Sequence, residues 1–471
     1  MDQIPQSVEP EQPIQAPPVD PNSFVEGYVP PPGSTDEMPP PGGGGVNKRL
    51  LIIGLAGVVV IAIIVGLIFF FLNKGVQPKP VVLVYWGLWE NEAVMQTVID
   101  EYHQTHPYVT IQYSDQSPVE YRQRLQAAIA RGEGPDIFRF HNTWVPMLVN
   151  DLARAPASSI NPDEFKKTYY PVMANDLTVQ GSIVGVPLMI DGLMLYYNKT
   201  LLSEAGVPVP STWEEFEAAA QRLTVKDENG AIILSGAAIG TADNIEHFSD
   251  ILGLTLQQNN ADFSDLKGPA AEQSLTYYTL FALPPNNVWD MNQDNSIVAF
   301  ASGRVAMIFA PSWQVFTLQA MNPDLNFGAA PAPQLAGAAP VSWASYWAEG
   351  VSSKSGNSQA AFEFLQFLSS KDTVTKLYTE VSKTRAFGSA YARTDLAQEL
   401  STHEFLAPIV QQAPNMRSWY LASRTRDNGI NDETIGYFRN AVNAVYQGSS
   451  PLGALETASK GVTEVLKNYG M

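Results

Sequence analysis

The sequence predicts an α/β protein with more than one compact core, carried behind a membrane-spanning helix and a disordered N-terminal tail. Three observations predict it. Strand-like and helix-like segments alternate from residue 81 onward, which is the pattern of a parallel sheet with crossover helices. The chain has 471 residues with 45% hydrophobic content, enough to bury two cores. Residues 50–72 form an apolar run with no charge, polar side chain or proline.

Residues 1–46 contain 12 prolines, a glycine run at 42–45 and seven acidic residues, with few large apolar groups. Such a segment cannot offset its ordering entropy, so a disordered tail with local polyproline II character is expected. The triplets Pro30–Pro32 and Pro39–Pro41 could dock in an aromatic-lined groove, but a solvated tail is the simpler reading. Residues 47–74 are read as the transmembrane helix, because 23 apolar residues at helical rise cover a bilayer core of roughly 30 Å. A cleaved signal peptide fits poorly, since 49 residues precede the run and no small-residue cleavage pattern follows Leu72. Lys48 and Arg49 favour a cytoplasmic N-terminus, while Lys74 and Lys79 weaken that bias. Residues 75–80 make a short tether.

Beyond the tether, 81–86 reads as a buried strand, 91–103 as a helix with an apolar stripe through Val94, Val98 and Tyr102, and 109–113 as a second strand. A helix over 121–130 carries Leu125 and Ile129 and is closed by Gly132 and Gly134, before a strand at 136–140. Ligands of parallel sheets sit beyond the carboxyl ends of the strands. Those ends carry Trp86, Trp89 and Glu90, then Ser114 to Gln116, then Phe140, His141, Asn142 and Trp144. Asp136, at a strand start, reads as a turn or cap residue.

The densest stretch is 181–216. Gln180 and Gly181 suit a tight hairpin between Val179 and the apolar residues 183–186. Pro187 has no backbone donor and argues against a central strand position. Residues 193–197 make a buried strand, Asn198 and Lys199 start a helix, and Gly206 ends it with Pro208 beyond. Thr212 and Glu215 form a capping box for the next helix.

The order of Gly185, Val186, Pro187, Asp191, Tyr196 to Lys199, Ala205, Gly206 and Thr212 to Glu215 resembles the family 1 extracellular solute-binding proteins, the sugar-capturing receptors of ABC importers. Later landmarks fall in the same order: Phe300 to Met307 with Pro311, Ser312 and Trp313, then 343–353, then an Ala- and Phe-rich helix at 359–368. Lys383, Thr384 and Arg385 stand where the family often has a Pro-Thr-Arg-like turn, without the proline. The resemblance spans roughly residues 81–466 and implies a two-lobed, periplasmic-binding-protein-like fold with a hinge. Lobe one would hold 81–190 and 348–398, and lobe two 191–347 and 399–471, with hinges near 188–192 and 343–350. It implies capture of a carbohydrate outside the cytoplasm and delivery to ABC permease subunits with a separate ATPase. The same fold could instead serve a glycan-sensing or adhesion receptor, or a glycoside-active enzyme using Glu90 and Asp191 as acid and base.

Reaction chemistry is sparse in the sequence. The five histidines show no metal-ligand spacing, and neither a phosphate-binding GxxxxGK[ST] loop nor a GxSxG elbow occurs. No cysteine is present, and no cofactor is expected. The formal charge of −19, from 47 acidic and 28 basic residues, disfavours a nucleic-acid partner and suits an uncharged ligand. Aromatic residues at strand ends and loops supply the candidate site. Trp86, Trp89, Trp144, Trp313, Trp343, Tyr346, Trp347 and Trp419 would present flat faces to sugar rings, with Phe140 beside them. Glu90, Asn142 and Asp191 would bond hydroxyls, and Asp191 matches an acidic sugar-binding position in maltose-type relatives. Trp213 and Trp289 are expected in the core, His141 in a structural or peripheral role, and the Asn198-Lys199-Thr200 sequon as a turn.

Overall fold

The computed structural model describes residues 79–471 except 286, together with residues 61 and 63–65. The chain divides into two units, Met1–Gln77 and Pro78–Met471, and everything below concerns the second. The disordered tail expected at 1–46 and the transmembrane helix expected at 47–74 lie outside the described residues apart from those four. Among the described residues, no helix is long and apolar enough to cross a membrane.

The first sheet grows from a β-α-β-α-β run: β1 (Val81–Gly87), α1 (Glu92–Thr105), β2 (Val109–Asp115), α2 (Tyr121–Arg131) and β3 (Ile137–His141). Strand β1 pairs in parallel with both β2 and β3, as alternation predicts. Asn91 caps α1 through its side chain, and Gly132 ends α2 at φ 74°, a left-handed conformation that glycine adopts without strain. Asp136 ties β3 to β1 by accepting Val84 N at 2.9 Å. The sheet is not wholly parallel. After α3 (Pro171–Asp176) and the hairpin β4 (Thr178–Val179) and β5 (Ser182–Ile183), strand β6 (Val186–Pro187) joins at the edge, beside β13 (Trp347–Val351), which returns antiparallel from far along the chain. The order is β2-β1-β3-β13-β6, so Pro187 sits where a missing donor costs least.

The second sheet is built around β7 (Met194–Asn198), which leads into α4 (Lys199–Ala205) and α5 (Trp213–Leu223), a helix that starts with the Thr212–Glu215 capping box. Then come β8 (Val225–Lys226), β9 (Ile232–Ala237), α6 (Phe248–Gln258), α7 (Pro269–Leu280), α8 (Ser296–Ala301) and β10 (Val305–Ala310). Strand β10 is buried at all six positions. Helix α9 (Gln314–Met321) and β11 (Phe327–Pro331) follow it and complete the order β11-β7-β10-β9-β8. From there β12 (Ser342–Trp343) and β13 run back to the first sheet. At that sheet α10 (Ser358–Leu368) and α11 (Lys371–Ser382) complete the packing, with α11 against α1. The chain closes with β14 (Met416–Arg417), which pairs with β12, and the helix pair α12 (Ile430–Tyr446) and α13 (Pro451–Asn468).

Candidate functional site at the chain crossings

Three segments pass side by side between the two sheets. Met189 bridges Tyr391 and Gly192 bridges Ala344, while Ile190 N donates to Ala390 O at 2.9 Å and Ser345 N to Asp191 O at 3.0 Å. The approach is so close that a Cβ on Gly192 would stand 2.0 Å from Trp343 O, which only glycine avoids. The segments 188–192 and 343–350, where hinges are expected, are thus hydrogen-bonded to each other.

Asp191 sits on this junction with its carboxylate already occupied. Oδ1 accepts Gly192 N at 2.8 Å and Ser312 N at 3.0 Å, and Oδ2 accepts Ser312 Oγ at 2.8 Å. Burial raises its pKa to about 6, and the Ser312 and Gly192 donors pull the other way without cancelling it. Asp191 is therefore a clasp between the first crossing and the turn that carries Trp313.

In the middle of β3, the central strand of the first sheet, Arg139 is buried between two carboxylates. Its Nε donates to Glu349 Oε1 at 2.6 Å, Nη1 donates to Leu88 O at 2.6 Å, and it also pairs with Glu90. Burial pulls the Arg139 pKa down, and Glu349 and Glu90 more than reverse it. Glu349 itself is pushed up by burial against the pull of Arg139. A small cavity lined by Glu90, Arg139, Leu188, Met189, Ser389 and Tyr391 lies behind the crossings.

The candidate aromatics divide sharply. Trp89 is 48% exposed and adopts φ 78°, a sparsely populated conformation for a bulky residue. Its ring meets half-buried Trp347 edge-on at 5.9 Å, and Trp347 in turn contacts His141 and Trp144 at 5.1 and 5.2 Å. Trp313, 39% exposed, stands at the head of α9 against His247 at 5.7 Å. Trp86 is half-buried, and half-buried Trp419 stacks on Phe263 at 4.1 Å.

Other expected faces are closed. Trp343 is fully buried, its Nε1 donating to Asp250 Oδ1 at 2.8 Å and its ring lying where a Cβ of Gly253 would need to be. It anchors the second crossing to α6, which corrects the expectation that it faces a cleft. Phe140 and Trp144 are likewise core residues, because β3 is buried along its whole length and the turn after it is too. Asn142 and Tyr346 belong to an internal network rather than offering free groups. Asn142 Nδ2, Tyr346 Oη and Ser418 Oγ donate to Asp176 at 2.8, 2.9 and 2.6 Å, and Tyr346 N donates to Asn142 Oδ1 at 3.2 Å. Burial nevertheless raises the Asp176 pKa. His141 is structural, as expected: it contacts Thr143 and Ser345, and burial lowers its pKa to about 3, so it is neutral at ordinary pH.

Sequence reading missed Arg139, Asp176 and Ser312. A cation inside the apolar run Ile137–His141 was the one visible signal, since arginine is rarely buried unless paired. Nothing in the sequence marks Asp176 or Ser312 as partners of residues 34 and more than a hundred positions away. The geometry presents two exposed indole faces, Trp89 and Trp313, around a junction whose acidic groups are already bonded within the protein.

A model for the bacterial extracellular solute-binding proteins matches residues 87–375. A binding protein of Brucella abortus is 23% identical over 357 residues, covering 73% of this chain and 83% of its own. The maltotriose-binding protein of Pyrococcus abyssi is 21% identical over 311 residues, covering 63% and 64%. Among solved structures, the cyclic α-maltosyl-1,6-maltose binding protein of Arthrobacter globiformis is 22% identical, covers 83% of this chain and 100% of its own, and superposes with a TM-score of 0.69. Two sheets joined by three crossings, exposed indoles at the junction and a family match over most of the folded region lead to one conclusion: the chain belongs to the bacterial extracellular solute-binding proteins, which bind their solutes and do not transform them.

Proposed function

We propose that the chain is a membrane-anchored, extracytoplasmic receptor that captures a sugar or oligosaccharide for an ABC importer, closing around it by hinge motion at the crossings. The observation that carries this reading is the pair of exposed indoles, Trp89 and Trp313, at the junction. One follows a strand of the first sheet and the other a strand of the second. Indole faces suit the apolar faces of sugar rings. Relatives named for maltotriose and for cyclic maltosyl-maltose support a carbohydrate ligand.

In this reading, residues 81–190 with 348–398 move as one lobe and 191–347 with 399–471 as the other. The ligand contacts come from Trp86, Trp89, Trp313, Trp347 and Trp419, with Asp191 holding the Trp313 turn in place. The apolar run at 50–72 anchors the receptor with its N-terminus in the cytoplasm and its binding region outside. ABC permease subunits with a separate ATPase then receive the ligand, since the sequence carries no phosphate-binding loop. Calorimetric titration and melting of residues 78–471 against a panel of mono- and oligosaccharides test the proposal. A saturable heat with a raised melting temperature supports it. No response to any sugar in the panel refutes it.

A further inference from the structure

Arg385 is a cation at the junction whose donors are not all accounted for among the described residues. Its Nε donates to Phe387 O and its Nη2 to Ser389 Oγ, each at 3.0 Å, and its guanidinium lies over the Phe316 ring at 5.0 Å. A guanidinium has five N–H donors. The two bonds use one on Nε and one on Nη2, leaving the Nη1 edge free among the described residues. Arg385 is half-buried, and none of the ion pairs among the described residues includes it. Burial lowers its pKa, with Glu90 and Asp191 acting in the opposite direction.

Its position joins the parts of the junction. Phe316 follows the exposed Trp313 by three residues at the start of α9, so the two lie on one face of the helix. Arg385 and Ser389 belong to the segment that leads into the third crossing, and Ser389 also lines the cavity beside Glu90. The two nearby carboxylates are poor partners for it: Asp191 accepts three protein donors, and Glu90 is drawn to Arg139. The donors of Arg385 that no protein group uses are not among the buried unpartnered atoms, so they are open to an acceptor on a bound molecule.

We propose that Arg385 forms a subsite for an oxygen acceptor on the ligand, best filled by a carboxylate such as that of a uronic acid. The proposal rests on the sugar-binding reading and narrows it. A planar guanidinium can meet a carboxylate with two parallel bonds, and its aromatic support on Phe316 fixes its plane. The formal charge of −19 is screened beyond about 8–10 Å at physiological salt, so charges within that distance of Arg385 decide whether a carboxylate is held there.

The test uses the full chain in a sugar-free detergent, with matched probes: glucose and glucuronate, galactose and galacturonate, and neutral and uronate trimers. Affinities are measured for the native chain, Arg385→Gln and Arg385→Lys, alongside melting without ligand. The expected result is that Arg385→Gln weakens uronate binding about ten- to a hundred-fold and lowers the uronate-to-neutral affinity ratio by about ten-fold or more. Arg385→Lys should keep part of that ratio, because it keeps the charge and loses the fork. A purely structural role would weaken both members of each pair alike, so an unchanged ratio overturns the subsite even if both affinities fall. Binding of a neutral sugar with no dependence on Arg385 overturns the subsite and leaves the sugar reading standing. If no probe binds, the sugar reading fails and the subsite with it.

Discussion

Asp191→Asn isolates the electrostatics of the junction. Burial raises the Asp191 pKa from an ordinary 3.8 to about 6. A carboxyl that holds its proton more tightly in the folded state than in the unfolded one makes folding weaker as pH rises. The stability is fully present below about pH 4 and is lost as pH climbs through 6. The rise from 3.8 to about 6, at about 1.4 kcal/mol per pH unit, is worth a loss on the order of 3 kcal/mol between pH 4 and pH 7. Asparagine is neutral throughout and keeps one oxygen to accept from Gly192 N or Ser312 N, so it carries no such slope. The native slope alone cannot be assigned, because burial also raises Asp176 and Glu349 and brings Asp432 to about 6. The difference between native and variant is specific. Urea unfolding of residues 78–471 at half-unit steps from pH 4 to 7 should show the variant gaining on the order of 3 kcal/mol relative to native as pH rises. Parallel curves across that range would refute the reasoning.

Gly192→Ala should destabilise by at least the ~1–3 kcal/mol of an overpacked core position, because its Cβ meets the Trp343 carbonyl; a melting temperature equal to native would show that the crossings can separate cheaply. Trp313→Ala should weaken an identified sugar about ten-fold or more while leaving the unliganded melting temperature nearly unchanged, and Trp313→Phe should keep part of the affinity. Trp343→Ala should do the reverse, costing about 3–5 kcal/mol of stability, so a folded Trp343→Ala with lost affinity alone would contradict its place in the core. The mature protein should keep its N-terminus and fractionate with membranes; an N-terminus mapped beyond Leu72 would overturn anchoring by the apolar run.

Local structure was legible where short-range chemistry decides it. Gln180 and Gly181 have φ of 51° and 79°, as a tight hairpin requires, and Gly206 ends α4 at φ 61°. Asn198 caps α4 instead of presenting a sequon, and Trp213 and Trp289 are buried as expected. Alternation of strand and helix did not place β13 beside β3, because the two lie about two hundred residues apart and alternation reports only neighbouring pairings; only the family resemblance put 348–398 with the first lobe. The site was half legible for a related reason. Tryptophan buries and binds with the same apolar face, so sequence could not separate Trp343, pinned by Asp250 and Gly253, from Trp313, left open by its turn. Likewise a carboxylate reads the same in sequence whether it is free or already held, as Asp191 is by Ser312 and Glu90 by Arg139.

The central claim is capture by closure at the crossings, and small-angle scattering with and without a sugar identified by titration tests it most directly. Closure about a hinge brings two rigid halves together around the ligand, so the radius of gyration of residues 78–471 should fall at saturation and the maximum dimension should shorten with it. Gly192→Ala, which wedges two crossings apart, should blunt that change. A scattering curve that stays the same from zero to saturating sugar, with binding confirmed in the same sample by calorimetry, would contradict the account.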